Sequence, residues 1–258
     1  MAIIPEKTTV KYVPPFEDLT MLIYGVPGAG KTTFCNGDLN SITAATEPGA
    51  DFVDTRAVKV NNWDQFLDLI EEMKQGLVKD KDFSSGIVID IVDNLYDSCM
   101  NYICKQLNIR HPSDKNDFGK TWKEIFNEWK SWLSYLMSFS SVRFISHMTE
   151  RGIEKKNENG LTETINQLVP KFHSSSGAKF LDGVCNLVGF MYTNKKGQHC
   201  ITFKAHNGLV VKDRTGILRE LEEIVLPEEP KDGFNYVAKI YEQRAIEKGY
   251  EIKRRPKL

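Results

Sequence analysis

The chain has 258 residues, 41% of them hydrophobic and 27% charged, with 34 Lys+Arg against 35 Asp+Glu for a net charge of -1. That composition excludes a wholly disordered chain, and at ~150 residues per domain it allows one large domain or two small ones whose core needs no disulfide or metal. So balanced a molecule can offer nucleic acid only a local basic patch, and no apolar stretch approaches the ~18 residues of a membrane span. The start, MAIIPEKTTV, has no basic region and no long apolar run, so no signal peptide is expected. Five cysteines, an odd number without a CxxC pair, read as reduced thiols of a cytoplasmic protein, and five histidines without HExxH or HxH spacing make a side-chain metal centre unexpected.

In chain order, LTMLIYG ending at Gly25 reads as a buried strand, and VPGAGKTTF as a glycine-rich turn entering a short helix. SITAATE (41–47) reads as a second strand with PGAD as its turn. Trp63, Phe66, Leu67, Ile70 and Met73 fall at helical spacing, and GIVIDIV (86–92) suits a strand buried on both faces of a parallel sheet. Residues 94–107 read as a helix. Over 118–137, Phe118, Trp122, Ile125, Phe126, Trp129, Leu133, Leu136 and Met137 form one apolar stripe, which reads as core packing. SVRFISH (141–147) is a further strand, followed by a long polar stretch without periodicity, expected to be a functional or mobile loop. LVGFMYTN and QHCITFKA flank KKG as an edge hairpin, PEEPKDG (227–233) reads as a linker, and FNYVAKIYEQRAIEKG as a helix before the basic IKRRPKL. The expected fold is α/β with a mostly parallel central sheet and an antiparallel edge hairpin, a core over 1–226 and a C-terminal helix with basic tail over 227–258.

Gly25-Val26-Pro27-Gly28-Ala29-Gly30-Lys31-Thr32 satisfies GxxxxGK[ST] between a buried strand and a helix start. Glycines let the backbone curl so that its N–H groups face a phosphate, and the helix N-terminus adds its positive end. Lys31 reaches the β- and γ-phosphates of ATP and the Thr32 hydroxyl ligates Mg²⁺, with Thr33 completing the phosphate-binding segment. Asp90, at the carboxyl end of what is expected to be the neighbouring strand, is the second Mg²⁺ residue; Asp93 and Asp97 read as helix-start carboxylates.

A GTPase would carry NKxD, but in TNKKG Gly197 stands where that Asp belongs. AAA+ ATPases and many helicases place Glu directly after the strand-end Asp; here Ile91 follows Asp90, so the base must come from elsewhere. Glu47, ending a strand expected to lie beside the P-loop strand, can orient and deprotonate a water, although an ordinary turn acid before Pro48-Gly49 fits the pattern equally.

The ATE-P-G turn, IVIDIVDNL and SVRFISH resemble the RecA-type P-loop core. More closely, they resemble the small phage AAA-type nucleotide-binding proteins of the Sak kind, proposed to act in single-strand annealing or recombination. Lys212-Asp213-Arg214-Thr215-Gly216 is similar to the Lys-Asn-Arg-Phe-Gly motif of RadA-type proteins, with Asp213 and Thr215 departing from it; the resemblance spans roughly residues 19–218. It implies a Mg-dependent ATPase with ATP between the subunits of a ring or filament, Glu47 as catalytic base, and His147 sensing the γ-phosphate and signalling to the following loop. It further implies that Lys212 and Arg214 neutralise transition-state charge in a neighbour's site, although KDRTG also suits a plain surface turn. Single-stranded DNA is the implied partner, with 108–120 and 148–177 as its two loops and a phage single-strand-binding protein as a further partner, in the host cytoplasm and away from membranes. Phe172 and His173 could stack on bases or cover the core, and IKRRPKL is the clearest basic run. The alternative is an ATP-switch protein of phage replication, such as a helicase loader, without its own DNA-pairing activity.

Overall fold

The protein is described here by a computed structural model covering residues 11–254 apart from 39, 50–52, 54, 80–85, 157–161 and 207. Part of the PGAD turn and the end of the basic tail (255–258) lie outside the described residues. In chain order the elements are β1 (Tyr12–Val13), β2 (Met21–Gly25), α1 (Lys31–Cys35), β3 (Ile42–Ala45), β4 (Arg56–Lys59), α2 (Trp63–Lys79), β5 (Gly86–Asp90), α3 (Val92–Gln106) and α4 (Lys120–Phe139). There follow β6 (Ser141–Lys156), β7 (Thr162–Pro170), α5 (Ser175–Val184), β8 (Leu187–Thr193), β9 (His199–Thr202), β10 (Lys212–Asp213), β11 (Ile224–Val225), α6 (Gly233–Glu247) and β12 (Glu251–Ile252).

Among the described residues the main sheet runs β11-β9-β8-β2-β6-β5-β3-β4, with β10 added to β8 and β7 to β6. The six strands from β8 to β4 are parallel. The antiparallel edge is β8-β9-β11. Two sequence expectations are corrected here. β3 is not beside the P-loop strand, and neither is β5: β6 lies between β2 and β5, and β3 is one strand further out. Strand order is a long-range property that local apolar runs do not encode.

The alternation along each buried strand explains the two layers. Leu22, Tyr24, Ile87, Ile89 and Phe144 face α2–α5, where Trp63, Phe66 and Trp129 are fully buried. Met21, Ile23, Val88 and Ile145 face the other layer, made of α1, α6 and the segment around Phe16. The C-terminal helix expected as an appendage supplies Phe234, Val237, Tyr241 and Ala245 to that layer, and β12 pairs in parallel with β1. Phe118 departs from the expected core stripe. It precedes α4, has φ +55° and is 96% exposed. Trp122 is also partly exposed, its ring against His111 at 5.6 Å.

The polar stretch after SVRFISH is not a loop. β6 continues past the sheet edge, and residues 148–156 pair antiparallel with 162–170. Both faces of this hairpin are largely solvated, so no apolar alternation marks it in the sequence.

Gly25 is where β2 touches β8 most tightly. A Cβ there would sit 1.9 Å from the Met191 carbonyl oxygen, whereas around Gly28 and Gly30 there is open space. Gly25→Ala is therefore expected to destabilise by ~3 kcal/mol or more through backbone displacement. Gly28→Ala and Gly30→Ala meet only the cost of positive φ, about 1–2 kcal/mol. Urea unfolding of the three variants checks this; equal losses would contradict the β2–β8 register.

Candidate nucleotide site

The carboxyl ends of β2, β5 and β3 open at one edge of the sheet, where β6 passes at His147, and the glycine-rich loop lies there. Gly28 (φ +75°) and Gly30 (φ +83°) adopt the left-handed backbone that curls the loop, and the Ala29 amide donates to Val26 O at 3.3 Å. Pro27 and Gly28 are exposed, Ala29 is buried, and Thr32 and Thr33 are half-buried at the start of α1. With five residues, α1 contributes little macrodipole, so an anion at this loop would be met chiefly by the loop amides and Lys31. Lys31 is buried, and its Nζ donates to Gly25 O (3.2 Å) and Val26 O (2.9 Å). Burial pulls its pKa down, against the opposing charges of Asp90, Cys35 and Glu47.

Thr32 Oγ1 donates to Asp90 Oδ2 at 2.8 Å. Asp90 is 1% exposed. Burial raises its carboxyl, with Glu47 adding to the rise and the Thr32 bond, Lys31 and His147 opposing it. This pairing of a hydroxyl with a buried carboxylate is a hard-oxygen donor set of the kind Mg²⁺ takes, so the residues present fit that ion. β3 reaches the same place by a bridge over the end of β5. The Thr46 amide donates to Asp90 O (2.7 Å), and the Ile91 amide donates to Thr46 Oγ1 (2.7 Å). That bridge carries Glu47 to the central strands, where its Oε2 lies 3.6 Å from His147 Nε2. His147 is in register with Gly25 across β2–β6. The structure thus brings Gly25–Thr33, Asp90, Glu47 and His147 together.

A family model described as an AAA domain matches residues 17–215. The chain belongs to that family. Membership of the AAA domain family points to nucleotide binding and ATPase activity, usually with Mg²⁺, here with Ile91 rather than Glu after Asp90. The match spans the sheet from just before β2 to the turn after β10. No curated protein matches the chain. Among the described residues, no helix of this AAA domain protein is long and apolar enough to cross a membrane.

Lys212 and Arg214 lie elsewhere. β10 pairs with the first residues of β8, Lys212 opposite Val188, which is itself opposite Leu22. That is the amino end of the sheet, about 10 Å of strand rise below Gly25. Lys212 Nζ bonds the carbonyl and, at 3.0 Å, the carboxylate of Asp182. Asp213, a departure from the RadA-type motif, organises the turn: its carboxylate accepts from the Thr215, Gly216, Leu218 and Arg219 amides and from the Thr215 hydroxyl.

Sequence reasoning missed Arg143. Its side chain is 1% exposed near the start of β6. It donates to Cys35 O (2.7 Å), Ser41 Oγ (3.1 Å) and Asp38 Oδ2 (2.8 Å), and lies over the Phe234 ring at 4.0 Å. The available signal was a single charge inside the apolar run SVRFIS. Asp93 sits in the first turn of α3, 4% exposed, with Oδ1 unbonded, and Asp97 pairs with His173 at 3.3 Å. Phe172 packs against Tyr96 and Trp129, so its ring covers the core. Of the basic tail, Arg254 is engaged by Glu17 (2.9 Å) and Asp18 (3.8 Å).

Proposed function

We propose that the protein is a RecA-like, phage-type ATPase that binds single-stranded DNA and promotes annealing or homologous recombination, with ATP held between the subunits of a ring or filament. The observation that carries the ATPase part is the convergence of Lys31, the Thr32–Asp90 pair and the Glu47–His147 pair on one sheet edge. Lys31 exchanges its loop carbonyls for the β- and γ-phosphate oxygens, and the Gly28–Gly30 backbone cradles them. Thr32 and Asp90 would hold Mg²⁺, which would supply positive charge against the phosphates. Glu47 orients a water and takes its proton, and His147 holds Glu47 and stands at the base of the hairpin. The strand order, with β6 between β2 and β5, supports the RecA-like assignment. The place of Lys212 and Arg214 at the opposite end of the sheet suits a head-to-tail assembly in which they serve the next subunit's phosphates.

The loop before α4 supports the DNA part. Phe118 is 96% exposed and Trp122 39% exposed, and the same segment carries exposed Arg110, Lys115, Lys120 and Lys123. Two of the three acids in 110–124 are bonded by backbone, Asp114 by the Arg110 and His111 amides and Asp117 by those of Gly119 and Thr121, and the third, Glu124, is exposed. Exposed aromatic rings interspersed with cations are the chemistry of sequence-tolerant single-strand binding. The host cytoplasm is the compartment, and a phage single-strand-binding protein is a fitting partner.

Anisotropy of a labelled oligonucleotide, with and without ATP and Mg²⁺ over a salt series, tests this. Steep salt dependence is expected, and Phe118→Ala should weaken binding roughly tenfold or more with ATP binding intact. An oligonucleotide that never binds would favour the ATP-switch alternative. Glu47→Gln is expected to bind ATP while hydrolysing it some 10²–10⁴-fold more slowly in single-turnover phosphate release; an unchanged rate would place the base elsewhere.

A further inference from the structure

Tyr24 immediately precedes the phosphate loop, is fully buried, and packs its ring on Phe190 at 5.2 Å. Its hydroxyl leaves β2 altogether. It donates to Leu168 O at 2.9 Å and accepts from the Val210 amide at 3.2 Å. Leu168 belongs to β7, opposite Glu150 near the base of the hairpin. The same junction is closed by Val210 N to Leu168 O (3.2 Å) and Leu168 N to Gly208 O (2.9 Å). Val210 lies two residues before Lys212. One phenol therefore joins three segments: the strand that becomes the loop, the returning strand of the projecting hairpin, and the stretch leading to β10. Burial raises its pKa well above the ordinary range, with the Val210 N–H opposing, so it remains a neutral hydroxyl able to donate and accept at once. The hairpin's other fastening, the Lys171 amide on His147 O (2.8 Å) and the Ser146 hydroxyl on Lys171 O (2.9 Å), is made to β6 and does not touch β2.

We propose that Tyr24 is a positioning residue whose hydroxyl carries nucleotide occupancy at the loop beginning with Gly25 to the β6–β7 hairpin and to the 208–212 segment. This rests on the nucleotide-binding reading above and adds its line of communication. A shift of β2 on phosphate binding moves the only β2 side-chain atom bonded to the hairpin among the described residues. The linkage is reciprocal: whatever the hairpin grips acts back on nucleotide affinity through the same oxygen.

Hydrogen exchange by mass spectrometry, with and without Mg²⁺ and the slowly hydrolysed analogue ATPγS, tests it in wild type, Tyr24→Phe and Val210→Pro. Phenylalanine keeps the ring contact with Phe190, and the proline removes the amide from the other side of the junction without touching β2. Thermal melts establish that each variant is folded. In wild type the analogue should slow exchange in 25–33 and also in peptides covering 162–170 and 208–212. In Tyr24→Phe, nucleotide should bind within roughly tenfold of wild type, the reach of one or two hydrogen bonds. The protection of 25–33 should persist while the response of the two distant segments falls about fivefold or more. Val210→Pro should behave alike. Undiminished distant responses in a folded variant, or a wild type in which only 25–33 responds, would overturn the proposal. A wild type that does not bind the analogue at all would remove the nucleotide reading itself, and is recognised by the silent binding titration.

Discussion

Lys31→Ala is expected to lose nucleotide binding by roughly 10²-fold or more and to leave no hydrolysis above background, while the fold survives. Lys31 is the one buried cation of the loop, and its Nζ touches only loop carbonyls, those of Gly25 and Val26. Removing it costs the fold two hydrogen bonds to carbonyls beside solvent-exposed Pro27. It would deprive the proposed triphosphate of the loop's one buried positive charge, in a site where burial magnifies charge interactions. Arginine is no substitute, because a planar fork does not fit a position built around a point charge. The readout is a thermal shift with added ATP and Mg²⁺. At a concentration 100 times the wild-type dissociation constant, wild type should gain ~2.7 kcal/mol, and Lys31→Ala no more than ~0.4 kcal/mol. A variant that keeps the shift would mean that the triphosphate is held elsewhere.

Arg143→Met is expected to destabilise the protein by ~3–5 kcal/mol, the cost of removing one partner of a buried ion pair. Besides Asp38, the guanidinium serves Cys35 O and Ser41 Oγ, all in the segment that leaves α1, so their loss loosens the short helix carrying Lys31 and Thr32. Nucleotide affinity should fall with stability, although Arg143 touches no loop atom among the described contacts. The pair also sets an acid limit. Burial pushes the Asp38 carboxyl up, but the bond and charge of Arg143, with the Asn40 amide and Ser41 hydroxyl, hold it below its ordinary value. A carboxyl lowered on folding binds its proton more tightly in the unfolded chain. Its contribution is therefore complete above about pH 4 and is lost as pH falls through the lowered folded value. Urea unfolding between pH 7 and pH 2 should show that acid limb in wild type and a flatter one in Arg143→Met. The double variant with Asp38→Ala should be less destabilised than the sum of the single ones, since the two side chains touch.

The parts of the site that are local in the chain are legible without coordinates. Gly25–Thr32 carries its own geometry in its glycines, and Asp90 ends an apolar run that can only be a central strand. The neighbours of those strands are not legible, because β6, which begins only at Ser141, enters between β2 and β5. Phe118 fits the apolar stripe by spacing, yet its positive φ and that of Gly119 start the helix two residues later and turn the ring outward. The β6–β7 hairpin escapes notice because solvent bathes both its faces, and β4 because all four of its residues are exposed. Arg143 is read as one polar letter in a strand; only the fold reveals that the backbone leaving α1 runs beneath it.

The layer beneath α1 is closed by the far end of the chain. Phe234 lies against Phe34 at 5.7 Å and under Arg143, and Asn235 Nδ2 donates to Gly37 O at 3.3 Å. Shortening the polypeptide before residue 233 would bare Phe34 to water and leave the guanidinium without its aromatic seat. A chain trimmed there to a minimal fragment would lose the support of the proposed nucleotide site from below, with every residue of the glycine-rich loop still in the sequence.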